Sequence, residues 1–245
     1  MKIRTLLIKF SGEALAGPEG RTIDYNVLRV MCQEVADARV EAKECGEDLR
    51  ICIVSGGGNI MRGRDAKQHG IDSNAADYMG MLATVINTIA IQNVLEQICG
   101  PESTRVHTAL DIHRVAEPFI VRKVIHQLNE GLIVIFGAGT GNPFFSTDTA
   151  AALRASEVGA SMWLKATDAE GVFDSNPKTN PNAKLLKRVT HDRCIADKLE
   201  VMDQTSLTLS RERNLDICVF SMKQPGNIKR ALLGEDIGTL ITMAA

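Results

Sequence analysis

Apolar residues in this chain fall into two kinds of segment that alternate along its length. Short, nearly continuous apolar runs occupy residues 5–10, 49–55, 132–136, 161–166 and 217–220. Runs of that length predict strands buried on both faces. Between them, apolar positions recur three and four residues apart. Val27, Leu28, Val30, Met31, Val35 and Ala38 make one such stripe. Asp24 opens it as a cap and Gly46 stops it, so a helix is predicted to about residue 44. Residues 75–97 read as a longer helix that is apolar on more than one face, through Met79, Met81, Leu82, Val85, Ile86, Ile89, Val94 and Leu95. Such a helix is either central or at a subunit contact. Further helices are predicted over 120–129, 149–159, 191–199, 205–214 and 226–233, with Thr147 or Asp148 near the cap of the second of these. Residues 104–108 and 238–242 read as strands, 170–177 as a hairpin and turn, and 65–73 as a mobile surface segment. The alternation predicts an α/β fold: a mainly parallel central sheet with helices on both faces, in three layers and one domain over 1–245.

Composition narrows the function classes. The 245 residues are 44% hydrophobic and 24% charged, ordinary globular values. A net charge of -2 leaves no footprint for nucleic acid or an anionic membrane. No apolar segment is expected to span a membrane, and the first strand, broken by Lys9, does not read as a signal peptide. The six cysteines are scattered with no C-x-x-C pair, which argues against zinc and for reduced thiols in a cytoplasmic protein.

The chemistry concentrates where strands finish. Residues 137–148 hold three glycines, Asn142, Ser146, Thr140, Thr147 and a single carboxylate, Asp148, between a buried strand and a helix. That is the edge at which open α/β sheets bind ligands. Lys9 ends the first strand and Lys165 ends the strand at 161–166. A lysine in a buried strand is costly unless it meets an anion, and its place at the strand end points to a ligand anion. Ser11-Gly12 follow Lys9, and Gly56-Gly57-Gly58 follow the second strand, so main-chain N–H groups can join a phosphate cradle. Arg62 is the natural partner for a phosphate. Asp77, in the first turn of its helix, either offsets the helix dipole or holds ribose hydroxyls. Phe173 either stacks a base or packs. Two lysines, two glycine loops and one Asp fit phosphoryl transfer, in which the protein mainly positions groups and neutralises charge. Asp148 suits the task of orienting the lysines or a nucleotide-bound Mg²⁺. No His or Glu stands out as a general base, and a phosphate acceptor needs none, because its second pKa is about 6.

The segments Lys9-Phe10-Ser11-Gly12-Glu13-Ala14, Gly56-Gly57-Gly58-Asn59-Ile60-Met61-Arg62, Asp77 with 79–84, and 140–148 together resemble the bacterial UMP kinases of the amino acid kinase family. The resemblance extends to Lys165-Ala166-Thr167, Val201-Met202-Asp203 and 238–242, and so spans nearly the whole chain. It implies an amino acid kinase-like fold whose part to about residue 150 binds UMP and whose remainder binds ATP. It implies that Lys9, Phe10, Ser11, Gly12 and Gly58 face ATP phosphates and that Thr167, Phe173 and Asn176 line the adenosine side. Gly57, Arg62 and Asp77 would hold UMP. Thr140, Gly141, Asn142, Pro143, Phe144, Phe145, Ser146 and Thr147 would wrap it. The family is typically homohexameric, activated by GTP and inhibited by UTP. Two departures stand out: Asn176 replaces an Asp of the family, and Gln92 and Glu96 stand where relatives carry arginines that serve GTP binding. Acetylglutamate, carbamate and aspartate kinases share the Lys9 and glycine loops but not Asp77 with this 140–147 loop. A nucleotide-binding protein without turnover is the alternative of a different class.

Overall fold

The computed structural model describes residues 2–20, 22–177, 179–199 and 201–244, without the side chains of Arg64 and Lys67. Its first half runs β1 (Lys2–Phe10), α1 (Tyr25–Glu44), β2 (Glu47–Ser55), α2 (Gly63–Gln68), α3 (Ser73–Cys99), β3 (Thr104–Thr108), β4 (Glu117–Pro118), α4 (Val121–Asn129) and β5 (Ile133–Gly137). The second half runs α5 (Thr147–Glu157), β6 (Met162–Thr167), β7 (Val172–Phe173), β8 (Leu185–Leu186), β9 (Arg188–Thr190), α6 (His191–Ala196), α7 (Gln204–Glu212), β10 (Asp216–Ser221), α8 (Asn227–Leu233) and β11 (Thr239–Thr242). Nine strands form the central sheet in the order β4-β3-β5-β2-β1-β6-β10-β11-β9, and β7 and β8 form a separate hairpin. Among the described residues, only the β10–β11 pair of the large sheet is antiparallel.

Side-chain alternation assigns the two faces. Leu6, Ile8 and Phe10 of β1 join Ile51, Ile53 and Leu164 beneath α1, α3 and α8. Leu7, Cys52, Val54, Val134 and Trp163 face the other way, beneath α4, α5 and α7. The Trp163 indole N–H donates to Ser210 Oγ of α7 at 3.1 Å, so its one polar atom is satisfied within the core. β1 is the switch point of the sheet. Strands from the first half lie on one side of it and β6, from the second half, on the other. Ligands bind at the carboxyl ends of strands that flank such a point.

Where pattern and structure differ, local chemistry explains it. Residues 63–68 form a helix that overlaps the surface segment read over 65–73, and six residues with few apolar side chains leave no period to read. α3 starts earlier than 75: the Asp72 carboxylate accepts from the N–H groups of Asn74 and Ala75, which moves Asp77 out of the first turn. α5 is capped by Ser146, whose hydroxyl accepts from the Asp148 and Thr149 N–H groups, so Thr147 and Asp148 are first-turn residues rather than the cap. β4, β8 and β9, of two or three residues, are too short to signal in sequence. α3 also corrects the expectation about membrane-length segments. Its 27 residues, with mean hydropathy 1.3 over an 18-residue window, meet the length and composition of a membrane span, although half of that window is packed inside the fold.

The two glycine loops touch. A Cβ placed on Gly12 would stand 2.6 Å from Gly58 N and 2.7 Å from the Gly56 carbonyl carbon. One on Gly57 would stand 2.8 Å from the Gly80 carbonyl oxygen of α3. These glycines are therefore required by backbone-to-backbone packing, whatever they also do for a ligand. Gly12→Ala is expected to force the loops apart and to destabilise the fold by about 1–3 kcal/mol, the usual cost of overpacking, read from the midpoint of urea unfolding.

Candidate active site

Lys9 and Lys165 are direct partners in the register of β1 and β6 and leave the sheet on the same face. That face is covered by α5, whose first turn carries Asp148. The carboxylate lies between the two ammonium groups: Lys9 Nζ is 3.0 Å from Oδ1 and Lys165 Nζ is 2.5 Å from Oδ2. Lys165 also donates to the Val201 carbonyl oxygen at 2.6 Å. Within the chain, Lys9 is paired with Asp148, the carboxylate read from the sequence as suited to orienting the two lysines. Burial alone would push the Asp148 carboxyl up, but Lys9 and Lys165 outweigh it and hold the group below its ordinary value. Burial, reinforced by Lys9, pulls the Lys165 ammonium down against the opposing pull of Asp148.

Both oxygens of Asp148 are engaged by lysines, and no group of three His, Cys, Asp or Glu residues suited to a metal occurs among the described residues. Of the two tasks open to Asp148, its contacts match the orienting of lysines.

The second component is a cavity of about 300 Å³ beside this triad. Gly57, Gly58 and Arg62 line it from the β2 end, Asp77 from α3, and Thr140, Asn142, Phe145, Ser146 and Thr147 from the loop after β5. The structure thus brings together most of the residues expected around an acceptor. Gly141, Pro143 and Phe144 do not line it. Gly141 packs on Ala109, and Phe144 is 75% exposed with its ring in solvent. Asp77 accepts the Phe144 N–H at 2.8 Å, which pins a residue whose φ is +72°. This loop-holding contact is neither of the tasks read for Asp77 in the sequence. Arg62 pairs with Glu13 across the two glycine loops at 3.2 Å, both side chains more than half exposed, an ion pair weak enough to exchange for a better anion.

Past the end of β1, Ser11 donates its N–H to the Ala166 carbonyl of β6 at 3.2 Å, and Gly12 sits against Gly56 and Gly58 beyond β2. The Phe10 ring is fully buried in the core, so only its main chain faces the loops, and its carbonyl accepts from Gly56 N–H. Strand alternation forces this, since a neighbour of Lys9 must point to the opposite face. Thr167 ends β6, Phe173 is in the β7–β8 hairpin opposite Leu185, and the Asn176 carbonyl shapes the hairpin loop by accepting from the Thr179 and Asn180 N–H groups.

Three residues of the site carry roles that sequence reasoning missed. Asp203 accepts from Ser146 Oγ, from Thr149 Oγ1 at 2.8 Å and from Ser206 N–H at 2.9 Å, tying the starts of α5 and α7 together. Its place just before a predicted helix was a cap signal. Arg154 is buried over the Phe119 ring at 3.9 Å, pairs with Glu157, and donates to the Gly139 carbonyl at 3.3 Å. Thr84 accepts the Ala138 N–H at 2.8 Å, holding a non-glycine residue at φ +61°. No sequence signal marks either contact, because both partners are distant along the chain.

Residues 4–221 match the amino acid kinase family. The chain is 50% identical over 242 residues to the chloroplastic uridylate kinase PUMPKIN of Arabidopsis thaliana, covering 98% of this chain and 69% of that protein. It superposes on the crystal structure of UMP kinase from Bacillus anthracis with a TM-score of 0.92 at 38% identity, over 99% of this chain and 97% of that one. For UMP kinase from Ureaplasma parvum the TM-score is 0.89 at 32% identity, over 99% and 100% of the two chains.

Asp148→Asn leaves two buried ammonium groups without their counterion and is expected to cost about 3–5 kcal/mol near neutral pH. A carboxyl held below its ordinary 3.8 stabilises the fold above that pH and loses the contribution as the pH falls through its folded value. The gap in unfolding free energy between wild type and Asp148→Asn should therefore narrow at acid pH, as measured by urea titrations at a series of pH values.

Proposed function

The chain belongs to the amino acid kinase family, and on that footing we propose that it transfers the γ-phosphoryl group of ATP to the phosphate of UMP, releasing ADP and UDP. What carries the mechanism is the Lys9–Asp148–Lys165 triad at the switch point of the sheet, with Thr147, the residue before Asp148, lining the adjoining cavity. The kinases at 50% and 38% identity, a uridylate kinase and a UMP kinase, support the choice of acceptor.

A UMP phosphate oxygen attacks the γ-phosphorus in line, and the bond to the bridging oxygen of ADP breaks. Charge spreads over the transferring group, and two ammonium groups meet it. Asp148 fixes both of them without competing as a base, since its carboxyl is held acidic. The UMP phosphate is already largely dianionic near neutrality, so no side chain has to remove a proton. Mg²⁺ enters as part of the ATP substrate. The part to about residue 150 supplies the acceptor subsite through Gly57, Arg62, Asp77 and the 140–147 loop. The remainder supplies the adenosine side through Thr167, Phe173 and Asn176, with the Ser11, Gly12 and Gly58 amides toward the ATP phosphates.

Self-association, as a homohexamer, belongs to the same proposal. Met79, Leu82, Ile86 and Ile89 make an exposed stripe along α3, each over 40% accessible, on a helix whose other face is core. Isolated apolar residues on a surface mean little, but a stripe on one helix fits a protein contact. UTP inhibition follows if the uracil of UTP competes for the acceptor cavity. GTP activation is carried over with altered chemistry, because Glu96, in place of a family arginine, accepts from Thr104 at 2.8 Å. The described cysteines are all free thiols, which supports a reducing compartment such as the cytoplasm, with a place in pyrimidine nucleotide synthesis.

The decisive test is a coupled assay of ADP release with UMP, CMP, dUMP and acetylglutamate as acceptors. UMP-dependent turnover is expected, and no release with UMP removes the reading. Lys9→Ala should abolish turnover, and an active variant would mean the donor phosphates lie elsewhere. Leu82→Glu combined with Ile86→Glu should dissociate the assembly in analytical ultracentrifugation.

A further inference from the structure

Behind the triple-glycine loop lies a pair of amides that the mechanism above does not use. Asn87, on α3, is fully buried. Its Nδ2 donates to the Gly56 carbonyl at 2.7 Å and to Asn59 Oδ1 at 2.8 Å. Asn59 Nδ2 donates back to Asn87 Oδ1 at 3.0 Å and also to the Thr22 carbonyl. All four amide hydrogens are thus used. Both outer partners are carbonyl oxygens, so reversing either amide would set oxygen against oxygen and break the pair.

The consequence falls on one peptide plane. The Gly56–Gly57 peptide is trans, so fixing the Gly56 carbonyl toward Asn87 turns the Gly57 N–H the opposite way. Among the described residues, that N–H donates to no protein acceptor. Gly57 lines the cavity, and the missing Cβ seats it against Gly80 and Ala83 of α3, so the loop cannot retreat toward the helix. A donor held this rigidly, with no acceptor of its own, has the property that makes main-chain amides effective at charge that develops during reaction.

We propose that Asn87 and Asn59 are positioning residues that aim the Gly57 N–H at the phosphoryl group in transit. The inference rests on the ATP-dependent transfer proposed above. It adds an amide donor, with its support, to the two lysines. Neither asparagine needs to touch substrate. Their effect is orientation, so it should appear in kcat, well beyond any change in the affinity for UMP, whose subsite Gly57 also lines.

Asn59→Ala is the cleaner variant, because Asn59 is only half-buried and its loss opens no core cavity. Asn87→Ala removes the contact with Gly56 directly. Each should lower kcat about tenfold or more, toward the about 10²–10³ seen when an oxyanion donor is deleted. The KM for ATP should stay close to wild type, any rise in the KM for UMP should be smaller than the fall in kcat, and Asn59→Ala should melt near wild type. An unchanged kcat in Asn59→Ala, or a rise in KM alone, overturns the proposal. A second arm needs no UMP. Consecutive glycines occur only at 56–58, so joint isotopic labelling of glycine carbonyl carbon and amide nitrogen isolates the Gly57 and Gly58 amide resonances. Inorganic tripolyphosphate should shift the Gly57 resonance in wild type and much less in Asn59→Ala. Equal shifts in both, or none in wild type, overturn the proposal. A shift confined to wild type in a protein without UMP turnover sustains it and counts against the UMP reading alone.

Discussion

One carboxylate between two ammonium groups sets the terms for everything around it. Lys9 and Lys165 could not stand side by side at adjacent strand ends without a counterion, because like charges in a half-buried setting repel strongly. Asp148 supplies it from the first turn of α5, and so the start of α5 must be held to the sheet edge with little tolerance. The surrounding polar contacts do this. Ser146 caps the helix, Asp203 grips Ser146 and Thr149, and the Val201 carbonyl takes another hydrogen of Lys165. Those three residues come from two segments more than fifty positions apart in sequence, which also share one apolar core through Ala151, Ala155 and Leu207.

Much of this was legible in the chain before any coordinates. The alternation of apolar runs and helical stripes gives a parallel sheet with helices on both faces, and the relatives share that architecture. Lys9 announced itself as a charge in a buried strand. Asp148 was legible as a group to orient the lysines, but not its place directly between them, since a run such as 147–149 gives no sign of which strands it will cover. The place of Asp77 was misread for a local reason: Asp72, five residues earlier, is the better cap and shifts the start of the helix. The burial of the Phe10 ring was legible as well, since period-two alternation turns it away from the face that Lys9 occupies. Arg154 and Thr84 were invisible because each acts through a carbonyl or N–H of a loop more than ten residues away.

Helix α3 does more than cover the sheet. Asp77, Thr84 and Asn87 lie along it and reach, in turn, the Phe144 amide, the Ala138 amide and the Gly56 carbonyl. A single rigid element therefore spaces the acceptor loop against the glycine loop. The tolerances of both sides of the cavity are fixed by one helical rise instead of by two flexible connections.

The contact between Gly12 and Gly58 also bears on how such a protein can change. Where two backbones meet with no room for a Cβ, mutation has almost nothing to work on, and the surface they present is written in main-chain atoms shared by every amino acid. The 140–147 loop is the reverse, with the side chains of Asn142, Phe144 and Phe145 exposed. Drift in this lineage is thus channelled: novelty in what is recognised can accumulate along one rim of the cleft while the other stays frozen by its own crowding.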